Sequence, residues 1–431
     1  MYDAIIIGGG PAGATTAAVL AEKGRSVLIL EREKFPRFQI GESLIPYNND
    51  IFRKMGLFDV LDDNRFVRKF GAEFVTGDGS RRHRFRFGST LPEKYARTFQ
   101  VRRAEFDQIL LDHARGLGVE VREQTRVSSV DLTDSSRAVV TAVDALGQET
   151  LVEGRVAVDA SGYVGVLANK VATRKQYESL KKIAIFAHYR NVVPSAEGDD
   201  AGNIVIVILR DGWFWMIPVS DQVTSVGLVI DKESFGTAGL EPREILDQTI
   251  RDSPYVASRM ADAGLESQIY VRRDFSYRMS SLVGSNYVLA GDAAGFIDPI
   301  FSTGVMLAMK SGELAAKGID DLIESGSMRN LRRYERRVQK AFDRYEAIIS
   351  RFYSRGFIEV FLNPLAGSGL VGVVIALLAG NVFESSSSRW RLQVFYALVA
   401  IQSRRKVIAP AIAWDKLPKS AAAAKPEEHV V

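Results

Sequence analysis

The sequence feature that most constrains the fold is a glycine pattern, G-x-G-x-x-G, formed by Gly8, Gly10 and Gly13. It follows an apolar run, Tyr2–Ile7, that is typical of a buried strand, and it opens a helical pattern over Ala12–Lys23. The first glycine permits a tight turn, the second lets the backbone approach a pyrophosphate, and the third allows a helix to pack closely on a strand. The pattern therefore predicts a β-α-β unit that holds phosphates at a helix N-terminus.

An acidic residue, Glu31, follows the second apolar run, Ser26–Leu30, about 20 residues beyond the glycines. In β-α-β units of this type, a carboxylate at this position hydrogen-bonds a ribose 2′-hydroxyl. We expect Ala12 and Arg32 to contact the same ligand, and Val127 to do so from a later strand. These positions favour a dinucleotide site over a glycine-rich turn without a ligand.

Composition excludes several other classes of function. The 431-residue chain has no cysteine, which removes disulfides, thiolate nucleophiles, iron–sulfur clusters and cysteine-based zinc sites. This fits a reducing compartment, and we expect a cytoplasmic protein. The four histidines, His83, His113, His188 and His429, show no ligand spacing, so we expect no metal site. The net charge of +4 is too small to indicate nucleic-acid binding.

The apolar segments are too short or wrongly flanked to indicate membrane insertion. The N-terminus begins Met1-Tyr2-Asp3 without basic residues, so we expect no signal peptide. The longest later apolar run, Gly369–Gly380, is shorter than the roughly 20 residues that a spanning helix needs. We therefore expect no transmembrane segment.

Two later segments and one arginine indicate that the dinucleotide is FAD. A V-D-A-S-G segment contains Asp159 and Gly162, and an A-G-D-A-A-G segment contains Gly291 and Asp292. They resemble the second and third flavin-binding motifs of the p-hydroxybenzoate hydroxylase-like superfamily, and Arg103 matches its cofactor-contacting arginine. The resemblance implies that these five residues bind FAD. The alternative for Arg103 is a solvated helix N-terminus.

The order of predicted elements indicates an α/β fold, α+β overall, with a Rossmann-type FAD-binding domain, an inserted antiparallel-sheet substrate domain and a helical C-terminal region. Alternating apolar strands between Ile183 and Ile230 predict the antiparallel sheet. We predict a discontinuous FAD-binding domain (1–65, 100–175 and 283–330), a substrate-binding sheet domain (66–99 and 176–282), a helical region (331–415) and a disordered tail (416–431).

Three further motifs narrow the resemblance. They are G-E-S-L-I-P at 41–46, W-x-W-x-I-P at 213–218 and D-P-I-F-S-T-G-V at 298–305. Together they resemble flavin-dependent halogenases, most closely the branch that acts on phenols and pyrroles. The resemblance covers the chain to about residue 400, and W-x-W-x-I-P is its most specific part.

The resemblance implies a two-stage reaction. Reduced FAD, dioxygen and a halide, chloride or bromide, give hypohalous acid, which travels through a tunnel to a lysine and then halogenates an electron-rich ring. The single G-x-G-x-x-G agrees with FADH2 arriving from a separate flavin reductase.

The same resemblance assigns roles to individual residues. It implies that Lys69 is the catalytic lysine. Without the resemblance, an isolated lysine would be expected on the solvated surface. The Ser-Thr-Gly turn of Ser302, Thr303 and Gly304 binds the halide through backbone N–H groups, which a capped helix start also offers. The other implied site residues contact the cofactor, Glu42 and Ser43, or line the tunnel and substrate chamber, Trp213, Trp215, Pro218 and Phe301.

One difference from tryptophan halogenases indicates the class of substrate. Tryptophan halogenases carry a glutamate two residues before the halide-binding threonine, and Phe301 stands there in this chain. A phenol or pyrrole needs such a carboxylate less, because its own heteroatom donates electrons to the ring. We therefore expect a small phenolic or pyrrolic substrate, free or tethered to an acyl or peptidyl carrier protein.

Three alternatives remain open on the sequence alone. A flavin monooxygenase that hydroxylates an aromatic ring would share the FAD motifs. An isoprenoid reductase resembling geranylgeranyl reductase would suit the apolar stretch Val371–Leu378. A flavin-binding module without enzymatic activity would leave Lys69 unexplained.

Overall fold

The computed structural model describes residues 1–63, 65–273, 275–363, 369–383 and 389–421. Within these ranges the strands are β1 (Tyr2–Ile7), β2 (Val27–Leu30), β3 (Val67–Lys69), β4 (Gly71–Thr76), β5 (Arg82–Arg86), β6 (Thr98–Gln100), β7 (Glu120–Arg122), β8 (Arg126–Asp131), β9 (Ala138–Val143), β10 (Glu149–Asp159), β11 (Arg174–Gln176), β12 (Lys182–Arg190), β13 (Ile204–Ile208), β14 (Gly212–Pro218), β15 (Val223–Asp231), β16 (Gly264–Leu265), β17 (Tyr270–Arg273), β18 (Tyr277–Met279), β19 (Tyr287–Leu289) and β20 (Gly295–Phe296).

The helices in the same ranges are α1 (Pro11–Ala21), α2 (Asn48–Lys54), α3 (Phe58–Asp62), α4 (Arg103–Gly116), α5 (Ala168–Val171), α6 (Lys232–Thr237), α7 (Pro242–Asp252), α8 (Pro254–Met260), α9 (Gly304–Ser325), α10 (Arg329–Phe352), α11 (Arg355–Leu362), α12 (Gly369–Leu378) and α13 (Arg389–Arg405). Several match the sequence patterns closely. α4 has the predicted bounds, whereas α1 begins one residue earlier, at Pro11, because proline suits the first turn of a helix.

The first sheet carries the dinucleotide fold. Its strands are ordered β7-β2-β1-β10-β9-β8, with β19 also paired to β10. β1 is parallel to both β2 and β10, and β9 is antiparallel to β10 and β8. α1 packs closely on α9, since a Cβ at Gly312 would lie 2.6 Å from the carbonyl oxygen of Ala12. The glycine-rich turn is thereby held between β1, β10 and two helices.

The second sheet has the order β16-β12-β15-β14-β13-β4-β5, with β17 beside β12. Its neighbouring strands are antiparallel, except that β13 runs parallel to β4. One face joins the main hydrophobic core through Phe186, Trp213 and Trp215. The other face packs with Ile245 of α7 and Val256 of α8. The mixed α/β fold and the helical C-terminal region confirm the predicted fold class.

The structure contradicts the predicted disorder for residues 416–421. Ser420 donates to the Asp211 carboxylate through its backbone N–H, at 2.8 Å, and its hydroxyl, at 2.6 Å. The N–H of Ala421 donates to Thr249 Oγ1 at 3.0 Å, and Leu417 is buried. The polar, alanine-rich composition suggested disorder, but distant side chains satisfy this backbone. Residues 422–431 of the predicted tail lie outside the described residues.

A buried carboxylate, Glu359 on α11, holds the non-helical chain that follows α13. Glu359 accepts hydrogen bonds from Gln402 Nε2 at 2.8 Å, Trp414 Nε1 at 2.9 Å and the N–H of Ile412 at 3.2 Å. Gln402 Nε2 in turn donates to the Ala409 carbonyl at 2.9 Å. The last helix therefore ends at Arg405, before the predicted end of the helical region at residue 415.

We predict that Glu359→Leu destabilises the protein by about 2–3 kcal/mol, because buried donors that lose their acceptor keep the cost of desolvation. The midpoint of urea unfolding should fall, and trypsin should cleave faster after Lys416. Glu149→Leu, which changes an exposed side chain on β10, is the matched control. Equal midpoints and cleavage rates in the two variants would contradict this role of Glu359.

Candidate active site

Close packing at the glycine-rich turn leaves no room for side chains where a cofactor's phosphates are expected. A Cβ at Gly13 would lie 1.9 Å from the Gly8 carbonyl oxygen, and one at Gly8 would lie 2.5 Å from that of Ala160. Gly8 also has a φ of +104°, which glycine adopts without strain. A Cβ at Gly291 would lie 2.7 Å from Ala12 Cβ, so the first and third motifs are in contact. This backbone cradle fits FAD.

Glu31 lies at the end of β2, as predicted, but both of its oxygens are already in use. Oε2 accepts the N–H of Gly9 at 2.7 Å, and Oε1 accepts the N–H of Glu33 at 2.9 Å. Its second lone pairs remain for a ribose hydroxyl. Arg32 is exposed and pairs with Glu33 at 3.0 Å, and Val127 lies on β8. Cofactor contacts of these residues stay predictions.

Asp159 organises the second motif from within. Its carboxylate accepts hydrogen bonds from the N–H groups of Ser161, Leu167 and Ala168, at 3.0, 2.7 and 2.8 Å. Gly162, with a φ of +70°, continues the loop without crowding. Asp159 is fully buried, and its bonds fix the shape of the loop, while its contact with the cofactor stays a prediction.

Arg103, the first residue of α4, bonds the chain just before the G-E-S segment. It forms a bidentate pair with Asp107, with both distances at 2.8 Å, and its Nη1 donates to the Ile40 carbonyl at 2.7 Å. Arg103 is buried, so it is not the solvated helix terminus of the alternative. Enclosure raises the pKa of Asp292 to about 6, and Arg103 acts against that rise. Asp292 and Arg103 therefore influence one another, as cofactor ligands at one site would.

Residues 41–44 connect Lys69 with the start of α9. At one end, a Cβ at Gly41 would lie 2.9 Å from Arg103 Nη1 and 4.0 Å from Val305 Cγ2. At the other end, Ser43 accepts a hydrogen bond from Lys69 Nζ at 2.8 Å. The intervening Glu42 is buried and bonds His188 Nε2 at 2.7 Å, while its second oxygen has no partner among the described residues. His188 was not predicted as a site residue.

Lys69 is a buried amine without a countercharge. It is 2% exposed, and its Nζ donates to Ser43 Oγ at 2.8 Å and to the Leu44 carbonyl at 2.9 Å. It forms no ion pair in the part of the chain that the structure describes, and the Phe87 ring lies 5.7 Å away. Burial lowers the pKa of Lys69 to about 7, because the charged form is poorly solvated. The amine is thus partly neutral at physiological pH and able to act as a nucleophile or a hydrogen-bond donor.

The predicted halide turn forms the N-terminus of a long helix. Ser302 adopts the left-handed region, with a φ of +56°, and Gly304 is the first residue of α9. Thr303 is buried, and its carbonyl accepts the N–H of Leu307 at 2.9 Å. The first N–H groups of a helix have no intrahelical acceptor and attract anions. The geometry fits a halide held by Thr303 and Gly304.

The two tryptophans lie on one face of β14, as their spacing predicts. The ring centroids of Trp213 and Trp215 are 6.0 Å apart, and both side chains are buried. Trp215 Nε1 donates to Ser225 Oγ at 3.1 Å. Pro218 ends the strand. Phe301 is buried edge-on against Phe352, with centroids 5.3 Å apart. An apolar ring therefore fills the position at which tryptophan halogenases carry a glutamate.

Sequence reasoning missed a buried carboxylate beside the halide turn. Asp298 accepts a hydrogen bond from Tyr353 Oη at 2.9 Å, and Tyr353 Oη accepts one from Trp213 Nε1 at 3.1 Å. The D-P-I-F-S-T-G-V motif contained Asp298, but nothing along the chain indicated its partner. The tyrosine follows α10, and only the fold brings it to the turn.

These residues can divide a halogenation between them. FAD, when bound in its reduced form, would supply two of the four electrons that reduce dioxygen, and the halide, oxidised to hypohalous acid, would supply the other two. The N-terminus of α9 would hold the anion and the two indoles form a packed wall. Lys69, with its pKa lowered to about 7, would offer an amine that can accept or hydrogen-bond an electrophile. The described residues contain no cluster of acidic and histidine side chains able to hold a metal, and no helix among them is long and apolar enough to cross a bilayer.

Comparisons with known proteins agree with this arrangement. The family model described as tryptophan halogenase matches residues 3–96 and 88–356. The 1H-pyrrole-2-carbonyl-[peptidyl-carrier protein] chlorinase of Pseudomonas fluorescens is 29% identical, over 96% of this chain and 96% of its own. The corresponding brominase of Pseudoalteromonas luteoviolacea is 35% identical, over 75% of this chain and 78% of its own.

The solved structure of the myxobacterial chondrochloren halogenase CndH, described as a variant of FAD-dependent halogenases, superposes with a TM-score of 0.78. It is 31% identical, and the match covers 94% of this chain and 91% of that chain. These matches favour a halogenase over the aromatic hydroxylase, the isoprenoid reductase and the non-enzymatic module. The chain therefore belongs to the tryptophan halogenase family and is a flavin-dependent halogenase, an oxidoreductase that uses FADH2, dioxygen and a halide.

Proposed function

We propose that this enzyme halogenates a pyrrolic or phenolic ring carried on a peptidyl or acyl carrier protein, with Lys69 as the residue that delivers the halogen. The observation that carries the proposal is the buried Lys69 amine, which is hydrogen-bonded to Ser43 and to the Leu44 carbonyl and has no carboxylate partner among the described residues. The names of the two pyrrole-carrier relatives support the substrate class. Phe301, in place of a carboxylate, supports a ring that needs no added base.

The chemistry at Lys69 balances without a further reactant. The neutral amine attacks the halogen of hypohalous acid, so the N–halogen bond forms as the O–halogen bond breaks. The released hydroxide takes a proton from the nitrogen and leaves as water. A ring carbon then attacks the halogen, and the nitrogen regains its electron pair. The proton that the ring loses is taken up by this nitrogen, which restores the neutral amine. Each step needs Lys69 shielded from water, which its burial supports.

The separate source of FADH2 and the location of the enzyme are also proposals. The single G-x-G-x-x-G supports a partner flavin reductase that oxidises NAD(P)H. The absence of cysteine supports a cytoplasmic location. Chloride and bromide are both candidates for the halide.

We predict that Lys69→Ala lowers the rate of halogenation by at least about a hundredfold, because a positioned nucleophile is lost. FAD should still bind, because the Lys69 amine bonds no residue of the glycine cradle and the Ser43 backbone is left unchanged. The assay is an aerobic incubation with FAD, a flavin reductase, NADH, halide and substrate, followed by mass spectrometry. Lys94→Ala, at an exposed lysine paired with Asp50, is the control. Halogenated product from Lys69→Ala at the wild-type rate would refute the assigned role, and hydroxylated product independent of halide would refute halogenation.

We predict that the enzyme converts pyrrole-2-carbonyl or a hydroxybenzoyl group on a phosphopantetheinylated carrier protein, and leaves the corresponding free acids unchanged. The thioester places the ring without a free carboxylate, which matches an active site wall built from Trp213, Trp215 and Phe301. Intact-protein mass spectrometry of the carrier measures the gain of one halogen. Faster conversion of the free acids would contradict the tethered substrate while leaving Lys69 chemistry intact.

We predict that the single-turnover halogenation rate rises as the pH increases through about 7, because deprotonation of Lys69 generates the nucleophilic amine. The rate is measured by rapid mixing of reduced holoenzyme with oxygenated buffer that contains halide and substrate. A rate that falls over the same range would mean that the ammonium form acts, as a hydrogen-bond donor to hypohalous acid.

A further inference from the structure

A buried hydrogen-bond chain links the indole wall to the turn that precedes Thr303. Trp213 Nε1 donates to Tyr353 Oη at 3.1 Å, and Tyr353 Oη donates to Asp298 Oδ2 at 2.9 Å. The direction is fixed, because an indole N–H can only donate and the phenol must then use its own hydrogen on the carboxylate. The chain spans β14, the end of α10 and the turn before α9.

Asp298 also fixes the shape of that turn. Its Oδ1 accepts the N–H of Ile300 at 2.9 Å and so caps the short 3-10 helix Pro299–Phe301. That helix ends at Ser302, whose left-handed conformation directs the chain into Thr303. A rotation of the Asp298 carboxylate would therefore disturb the N–H groups that are proposed to bind the halide.

The Asp298 carboxylate lies close in sequence to the proposed halide site and would weaken halide binding there unless its position were fixed. Its hydrogen bond from Tyr353 is therefore relevant to halide binding. Asp298 is fully buried only a few residues before Thr303, and a free carboxylate oxygen would repel a halide and compete for the same N–H groups. Burial raises the pKa of Asp298 to about 6. A cation, Lys182, lies beside this hydrogen-bond chain, with its Nζ 4.2 Å from the Tyr353 ring centroid and 2.7 Å from Asp231.

We propose that Tyr353 is a positioning residue that holds the Asp298 carboxylate away from the halide-binding N–H groups and fixes the Trp213 indole in the wall. The inference rests on the proposed halide role of Thr303 and Gly304. It assigns Tyr353 two measurable effects, on halide affinity and on the fraction of hypohalous acid that reaches the substrate. Tyr353 touches neither halide nor ring in this role.

The principal test is Tyr353→Phe in the FAD-loaded enzyme. Loss of a hydrogen bond to a carboxylate should raise the bromide KM about tenfold, while kcat changes less. Halogenated product per dioxygen consumed should fall, and hypobromous acid captured by an added amine should rise correspondingly. Tyr345→Phe is the matched control, because Tyr345 lies on α10, the helix that Tyr353 follows, is fully buried, and has a hydroxyl without a hydrogen-bond partner among the described residues.

A rescue experiment separates positioning from a general packing role. Asp298→Asn removes the charge but keeps an acceptor, so the double variant Tyr353→Phe/Asp298→Asn should recover much of the bromide affinity. A purely structural loss would worsen in the double variant. Trp213→Phe combined with Tyr353→Phe should reduce product per dioxygen no more than the stronger single variant does, because both changes break one chain.

A binding measurement keeps this proposal distinct from the proposed function. The rise in the thermal midpoint of the FAD-loaded enzyme with added bromide reports halide affinity without any substrate. Weaker bromide binding in Tyr353→Phe, restored by Asp298→Asn, supports the proposal even if no tested ring is halogenated. Unchanged bromide binding and unchanged product per dioxygen in Tyr353→Phe would overturn it while leaving halogenation by Lys69 standing.

Discussion

The arrangement of the rest of the site depends on the burial of one amine, that of Lys69. An ammonium removed from water without a countercharge loses its solvation, so the protein must either pair it or accept a lowered pKa. Among the described residues its hydrogen-bond partners are a hydroxyl and a carbonyl, from Ser43 and Leu44, and the pKa falls to about 7. Because these partners belong to the G-E-S segment, the interaction that tunes the amine also attaches β3 to the segment beside Arg103.

Negative charge is controlled throughout the same region. Asp107 is neutralised by Arg103, Asp159 is surrounded by backbone N–H groups, and Asp298 is bonded by Ile300 and Tyr353. A site that must hold a halide gains from this arrangement, because an unsatisfied carboxylate nearby would compete for the donors. The exception is Glu42, whose second oxygen has no partner among the described residues although the side chain is buried.

The sequence predicted those parts of the molecule whose determinants are close together in the chain. The glycine turn, α4 and the shared face of Trp213 and Trp215 each follow from local spacing, and the position of Lys69 followed from family resemblance. The bonds from Tyr353 to Asp298 and to Trp213 cross 55 and 140 residues, and no local pattern announces them. The same reason explains the error at 416–421, since the composition of that segment does not reveal Asp211 and Thr249 as its partners.

The return of residues 416–421 to the second sheet has a mechanical consequence. The chain passes from the FAD-binding sheet into the second sheet, through the C-terminal helices, and back to Asp211 beside β14. Glu359 secures the intermediate stretch from inside. Because this C-terminal segment is bonded at both places, it resists separation of the helices from the strand that carries the tryptophans. Because hypohalous acid reacts with many side chains, helices anchored beside this strand would limit its escape from the enzyme.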